Sequence, residues 1–155
     1  MNTTFDFGNG PVPAHRHINP DGTVGGWVAE TADVAKTAFV GVNARISDNA
    51  RIYDNARISD NAQISGYARI YGNAWIYDNA RISGGHWDMA PIYIQGSRHS
   101  ATNCAPGRIS IGCENHTFSE WQQQYALIGK HQEYTPEEIE EYKTIVDEIC
   151  KNGKK

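Results

Sequence analysis

The chain reads as mainly β, a parallel β-helix of about three coils followed by a C-terminal αα-hairpin. Three observations predict this. An aliphatic residue returns at every sixth position ten times running: Val28, Val34, Val40, Ile46, Ile52, Ile58, Ile64, Ile70, Ile76 and Ile82. Between these positions the unit repeats almost without variation, as in Ile46-Ser-Asp-Asn-Ala-Arg51 and Ile58-Ser-Asp-Asn-Ala-Gln63. From Thr117 the apolar spacing becomes helical, and each of two stretches opens on a capping box. A fixed internal period is the mark of a stacked repeat architecture, in which each unit buries its face only against its neighbours.

A period of six suits a short strand and a corner, repeated as one side of a triangular coil, so three hexads close a turn. The Ile or Val of each hexad points inward. Stacking coils at the sheet spacing of about 4.8 Å joins these side chains into an aliphatic ladder. Ala32, Ala38, Ala44, Ala50, Ala56, Ala62, Ala68, Ala74 and Ala80 take the tight inner position beside each corner, where a larger side chain would clash. At the corners, Asp48-Asn49, Asp54-Asn55, Asp60-Asn61 and Asp78-Asn79 are expected to bond their own backbone, with the Asn at positive φ. Gly66, Gly72, Gly84 and Gly85 serve the same turn sterically.

Four segments follow along the chain. Residues 1–26, dense in Gly and Pro, read as an irregular N-terminal cap for an open ladder end, which needs covering. Residues 27–85 are the solenoid, and the period breaks at Gly84-Gly85-His86-Trp87. Residues 86–116 read as a strand and loop cap, with Ile92-Tyr-Ile94 and Ile109-Ser-Ile111 as a strand pair separated by a Gly, Ser and Asn-rich stretch. Residues 117–155 read as the helical hairpin. Thr117 with Glu120 caps a stripe of Trp121, Tyr125 and Ile128; Thr135-Pro-Glu-Glu138 caps a stripe of Ile139, Tyr142, Ile145, Val146 and Ile149. The stripes are expected to pack on the solenoid or on a neighbouring subunit.

Bulk properties exclude several classes. A net charge of -4 argues against coating a nucleic-acid polymer. Three widely spaced cysteines, Cys104, Cys113 and Cys150, make no CxxC pair and favour a reducing compartment. There is no apolar run long enough for a membrane span and no secretory leader pattern, so a cytoplasmic address is expected.

Because Ile, Val and Ala fill so narrow a coil, function is sought on its outside, where the 18-residue coil sorts outward residues into three faces. The first stacks Asp33, Arg51 and Arg69 beside Ala35, Tyr53 and Tyr71, with Trp87 continuing the arginine series if the register survives the break. The second stacks Phe39, Arg57 and Trp75 beside Gly41, Ser59 and Tyr77. The third stacks Trp27, Arg45, Gln63 and Arg81 beside Ala29, Ser47, Ser65 and Ser83, and looks the most ordinary. The first face offers aromatic planes and cationic forks in register, chemistry suited to stacking a base or sugar and gripping a phosphate. The same ladders also serve as sheet stabilisers or as a subunit interface. Gln95, Ser97, Arg98 and His99 offer a polar end for the pocket. The candidate ligand set is therefore Arg51, Tyr53, Arg69, Tyr71, Trp87, Gln95, Ser97, Arg98 and His99.

The ladder and its A-x-[IV]-x-x-[NG] units over residues 27–85 resemble the hexapeptide-repeat proteins. More narrowly, Gly22-Thr-Val-Gly-Gly-Trp-Val28, the repeats, Ile109-Ser-Ile-Gly-Cys113 and Trp121 resemble small uncharacterised members encoded by phages and prophages. The resemblance implies a left-handed helix, a homo-oligomer with a trimer favoured, ligands in inter-subunit clefts, and a bacterial host cell as the setting. It suggests a non-catalytic phage immune antagonist that sequesters a nucleotide-derived signal such as a cyclic dinucleotide or ADP-ribose derivative. Well-known family members are acyltransferases, which use a His base and acyl-CoA; here His86, at the repeat break, is the one candidate catalytic residue. Three coils leave little length for a CoA arm, and no long loop interrupts the hexads, so the balance falls against an enzyme and no cofactor is expected. None of the six His lies between residues 18 and 85. His15 with His17, and Cys113 with His116, offer two metal ligands each where zinc needs three or four, so no metal site is expected. A third reading is an inhibitor of a host protein complex that docks through the acidic run Glu137, Glu138, Glu140 and Glu141, although such runs are usually solvated.

Overall fold

The structure is a computed structural model and describes residues 3–88 and 90–155; Met1, Asn2 and Met89, which fall in the two expected caps, lie outside the described residues. The chain divides into two compact units, Met1–Ala90 and Pro91–Lys155. It is mainly β, a β-solenoid of about three turns with two C-terminal helices.

The first unit opens with β1 (Thr4–Asp6), β2 (Pro11–Ile18) and β3 (Val24–Ala29). The solenoid then continues in two-residue strands: β4 (Asp33–Val34), β5 (Phe39–Val40), β6 (Arg45–Ile46), β7 (Arg51–Ile52), β8 (Arg57–Ile58), β9 (Gln63–Ile64), β10 (Arg69–Ile70), β11 (Trp75–Ile76), β12 (Arg81–Ile82) and β13 (His86–Trp87). Every third strand pairs in parallel with the one a coil earlier. The resulting sheets are β4-β7-β10-β13, β5-β8-β11, and β3-β6-β9-β12 extended by β2 and β1. Arg51 stands opposite Arg69, Arg57 opposite Trp75 and Arg45 opposite Gln63, so the three faces are those the 18-residue coil assigns. Ile46, Ile52, Ile58, Ile64, Ile70 and Ile76 are wholly buried, as are Ala50, Ala56, Ala62 and Ala68 beside them.

The corners work differently from the expectation. Asp48, Asp54, Asp60 and Asp78, rather than the asparagines after them, take positive φ of 53–56°. The carboxylate reaches along the solenoid rather than to the backbone of its own turn: the N–H groups of Gly66, Gly72 and Asp78 donate to Asp48, Asp54 and Asp60 at 2.9, 3.0 and 3.1 Å. The physical reason is that a two-residue strand leaves the next coil's corner N–H outside the ladder, and a left-handed Asp places an acceptor over it.

The register does not survive the break. Arg69 pairs with His86, and Ile70 with Trp87. The corner at Gly84-Gly85 is one residue short, and Gly85 takes the alanine position, its carbonyl accepting from the Arg69 N–H at 2.8 Å. Trp87 therefore turns inward below Ile70, only 4% exposed, with its indole N–H donating to the Gly84 carbonyl.

The N-terminal cap is not irregular. β1 and β3 each pair antiparallel with β2, and the Gly-rich segment is the turn between β1 and β2, where the Asp6 carboxylate accepts from the N–H groups of Gly8 and Gly10. Capping is done by two buried side chains. Asn19 accepts from the Val40 N–H at 2.8 Å and donates to the Val40 carbonyl at 3.2 Å, standing in for the missing strand next to β5; His17 Nε2 donates to the Ala38 carbonyl at 2.9 Å.

The second unit is a four-stranded antiparallel sheet, β14 (Tyr93–Gln95), β15 (Ser100–Ala105), β16 (Arg108–Ile111) and β17 (Glu114–Thr117), with α1 (Phe118–His131) and α2 (Pro136–Asn152). The Gly, Ser and Asn-rich stretch is itself a strand, β15, which lies between the two expected partners. The helical stripes pack on this sheet: Trp121, Ile128, Ile145, Val146 and Ile149 share a core with Ala101, Ile109 and Ile111. Residues 91–116 and 117–155 thus fold as one unit.

Candidate ligand groove

On the first face, Arg51 and Arg69 are exposed and Tyr53 and Tyr71 are half-buried. The Arg51 guanidinium donates to the Tyr53 hydroxyl at 3.4 Å, a contact that raises its pKa further above the ordinary value. Trp87 is absent from this surface because it fills the ladder, and His86, exposed, holds its place in the arginine series.

Gln95, Ser97, Arg98 and His99 lie on the β14–β15 turn of the second unit, with their polar groups engaged inside that unit. The Ser97 N–H donates to Glu141 at 2.7 Å and its hydroxyl donates to the same carboxylate. Arg98 donates to the Glu133 carbonyl at 3.0 Å, with its guanidinium 5.0 Å from the centre of the Tyr134 ring. His99 Nδ1 meets the Tyr134 hydroxyl at 2.6 Å, Tyr142 accepts from the Arg98 and His99 N–H groups, and the Gln95 side chain bonds Tyr93 and the Gly96 carbonyl. Burial pushes the Tyr134 phenol up to about 12, and Tyr142 beside it acts in the same direction. Ser97, Arg98 and His99 thus staple the turn to α2 and to the segment between the helices. The acidic run is divided accordingly, Glu138 capping α2 and Glu141 holding Ser97.

The third face carries an open cavity, although its sequence looked ordinary. The β1–β2 hairpin curls over this face, and Phe5 stacks on Trp27 with ring centres 4.8 Å apart. Under the hairpin lies an open groove of about 680 Å³. Its hairpin wall includes Phe7 and Asn9, its floor Arg45, Ser47, Gln63 and Ser65, and its corner rim Asn49, Gly66 and Tyr67. Tyr67 is 77% exposed, an aromatic plane at the rim without a packed neighbour over most of its surface. The Asp48 and Glu30 carboxylates at the groove edge are engaged, with Gly66 and His15 respectively. The alternation Phe5-Asp6-Phe7 ahead of a Gly-rich turn is the sequence signal for the hairpin, but which face it covers depends on the tertiary fold.

The family model YdcK Beta solenoid repeat matches residues 44–59 and, overlapping, 50–66. The chain carries β-solenoid repeats. The matched residues supply β6 to β9, including Arg45, Ser47, Gln63 and Ser65 of the groove floor. No curated protein and no solved structure matches the chain.

Proposed function

We propose that this chain is a non-catalytic binding protein whose ligand lies in the third-face groove. One observation carries the reading: a groove of about 680 Å³ lined both by aromatic rings, Phe7 and Tyr67, and by the hydroxyl and amide groups of Ser47, Ser65, Asn49 and Gln63. That combination stacks a planar or sugar ring and bonds its polar edge, and the volume suits a small molecule. The ligand class is a nucleotide-derived small molecule, held and released unchanged, so the protein acts by mass action. The resemblance to small phage-encoded hexapeptide-repeat proteins supports a sequestering, signal-removing role and a left-handed trimeric assembly. The catalytic alternative has less support, because the His86 ring is exposed and no carboxylate orients it among the described residues.

Thermal melting with a panel of cyclic dinucleotides, ADP-ribose, oligosaccharides and acetyl-CoA tests this, since a ligand of the native state raises the melting temperature by linkage. A nucleotide is expected to raise it and to be recovered intact, and Tyr67→Ala with Ser65→Asp is expected to remove the shift. Arg69→Ala with Tyr71→Ala is the contrasting pair: loss of binding there, with the groove variants unaffected, returns the site to the first face. Acetyl-CoA turnover abolished by His86→Ala would replace binding with acyl transfer.

A further inference from the structure

Beside the groove, and sharing Arg45 and Gln63 with it, lies a second chamber of about 330 Å³. We infer that this chamber is an anion subsite, taking a phosphate or carboxylate carried by the groove ligand; the inference rests on the binding reading above.

Two guanidinium groups bracket an aromatic pair here. Arg16 Cζ lies 5.2 Å from the centre of the Trp27 ring, Trp27 stacks on Phe5, and Arg45 Cζ lies 5.3 Å from the centre of the Phe5 ring. Stacking fixes a guanidinium by its flat face and leaves its in-plane N–H groups free to donate. Among the described residues neither arginine is paired with a carboxylate. The remaining polar lining is amide, because the 18-residue repeat places Asn43 and Arg45 of one coil beside Asn61 and Gln63 of the next. The chamber wall thus carries two cations and three amides and no acid, in a chain whose overall charge is -4. Such a surface favours an oxyanion, and its position next to the groove lets one ligand place a ring in the groove and its charged end in the chamber.

Isothermal calorimetry with matched pairs tests the subsite: adenosine against ADP, and maltotriose against a galacturonate trimer. The charged member of one pair is expected to bind on the order of tenfold tighter than its neutral partner, the worth of a charged hydrogen bond. The pair that shows the preference separates phosphate from carboxylate. Arg16→Gln and Asn61→Asp, neither of which lines the groove, are expected to cancel the preference while the neutral member binds as before, with circular dichroism confirming the fold. Equal binding of charged and neutral members, or a preference that persists in both variants, overturns the subsite and leaves the groove standing. Binding of no probe overturns both.

Discussion

At the corner position that recurs every 18 residues, the chain uses Asp and Gly for one backbone conformation. Asp48 and Gly66 occupy one column with φ of 56° and 63°, and Asp54 and Gly72 the next with 53° and 65°. The residue type then depends on what approaches. A Cβ on Gly66 would lie 2.2 Å from the Ser83 carbonyl oxygen, a backbone atom that cannot swing away, whereas one on Gly72 would lie 3.6 Å from the Asp88 oxygen, an ordinary contact. Gly72→Ala is therefore expected to cost about 1 kcal/mol, the left-handed penalty alone. Gly66→Ala adds a clash and is expected to cost roughly 1–3 kcal/mol more. Urea unfolding of the two variants checks this, and equal losses would show that φ alone governs both corners.

Among the elements, the helices show how local chemistry sets boundaries. In α1 the Thr117 hydroxyl accepts from the Glu120 N–H at 3.2 Å while the Glu120 carboxylate accepts from the Thr117 N–H at 2.8 Å; in α2 Thr135 and Glu138 do the same. Both boxes were legible because their bonds span only three residues. The Thr117 N–H holds the Glu120 carboxyl below its ordinary value of 4.5. A depressed folded-state pKa means that this contribution is present above pH 4.5 and lost as the pH falls through the lower folded value. Wild type is therefore expected to exceed Glu120→Gln in stability at neutral pH, with the difference shrinking in acid; a difference unchanged down to pH 3 would remove Glu120 from the cap. What the helical stripes face was not legible, because β15 is rich in Ser, Thr and Asn and reads as loop. Its burial is made possible by side-chain bonding, with the buried Asn103 amide donating to the Ala105 and Arg108 carbonyls at 3.0 and 3.1 Å.

For the whole molecule, the two units carry separate cores of different kinds. The first is a ladder of mostly Ile and Val side chains, and the second a mixed core in which Ile149, Val146 and Trp121 meet Ile109 and Ala101. Separate cores imply separate cooperative transitions. Ile149→Ala, at a fully buried position, is expected to cost about 2–5 kcal/mol, all of it in the transition of the second unit. Calorimetry resolves this, and a single transition that shifts as a whole would show that the units melt together.

The sequence alone determined the solenoid, its three faces, the inward ladder and both helix starts. Each of these follows from a period or from bonds a few residues apart, which a linear reading samples directly. Three features depended on the tertiary structure. Trp87 left the first face because one missing corner residue moved it into the ladder, a change of face that strand periodicity makes absolute. Ser97, Arg98 and His99 became structural because α2 and the segment just before it, more than thirty residues later, supply their partners, while Gln95 bonds its neighbours Tyr93 and Gly96. The groove and its cationic neighbour arose on the third face because a hairpin brought Phe5 and Phe7 over Trp27, Arg45 and Gln63. A repeat determines which residues share a face, but the packing of the segments outside the repeat decides which face carries a groove.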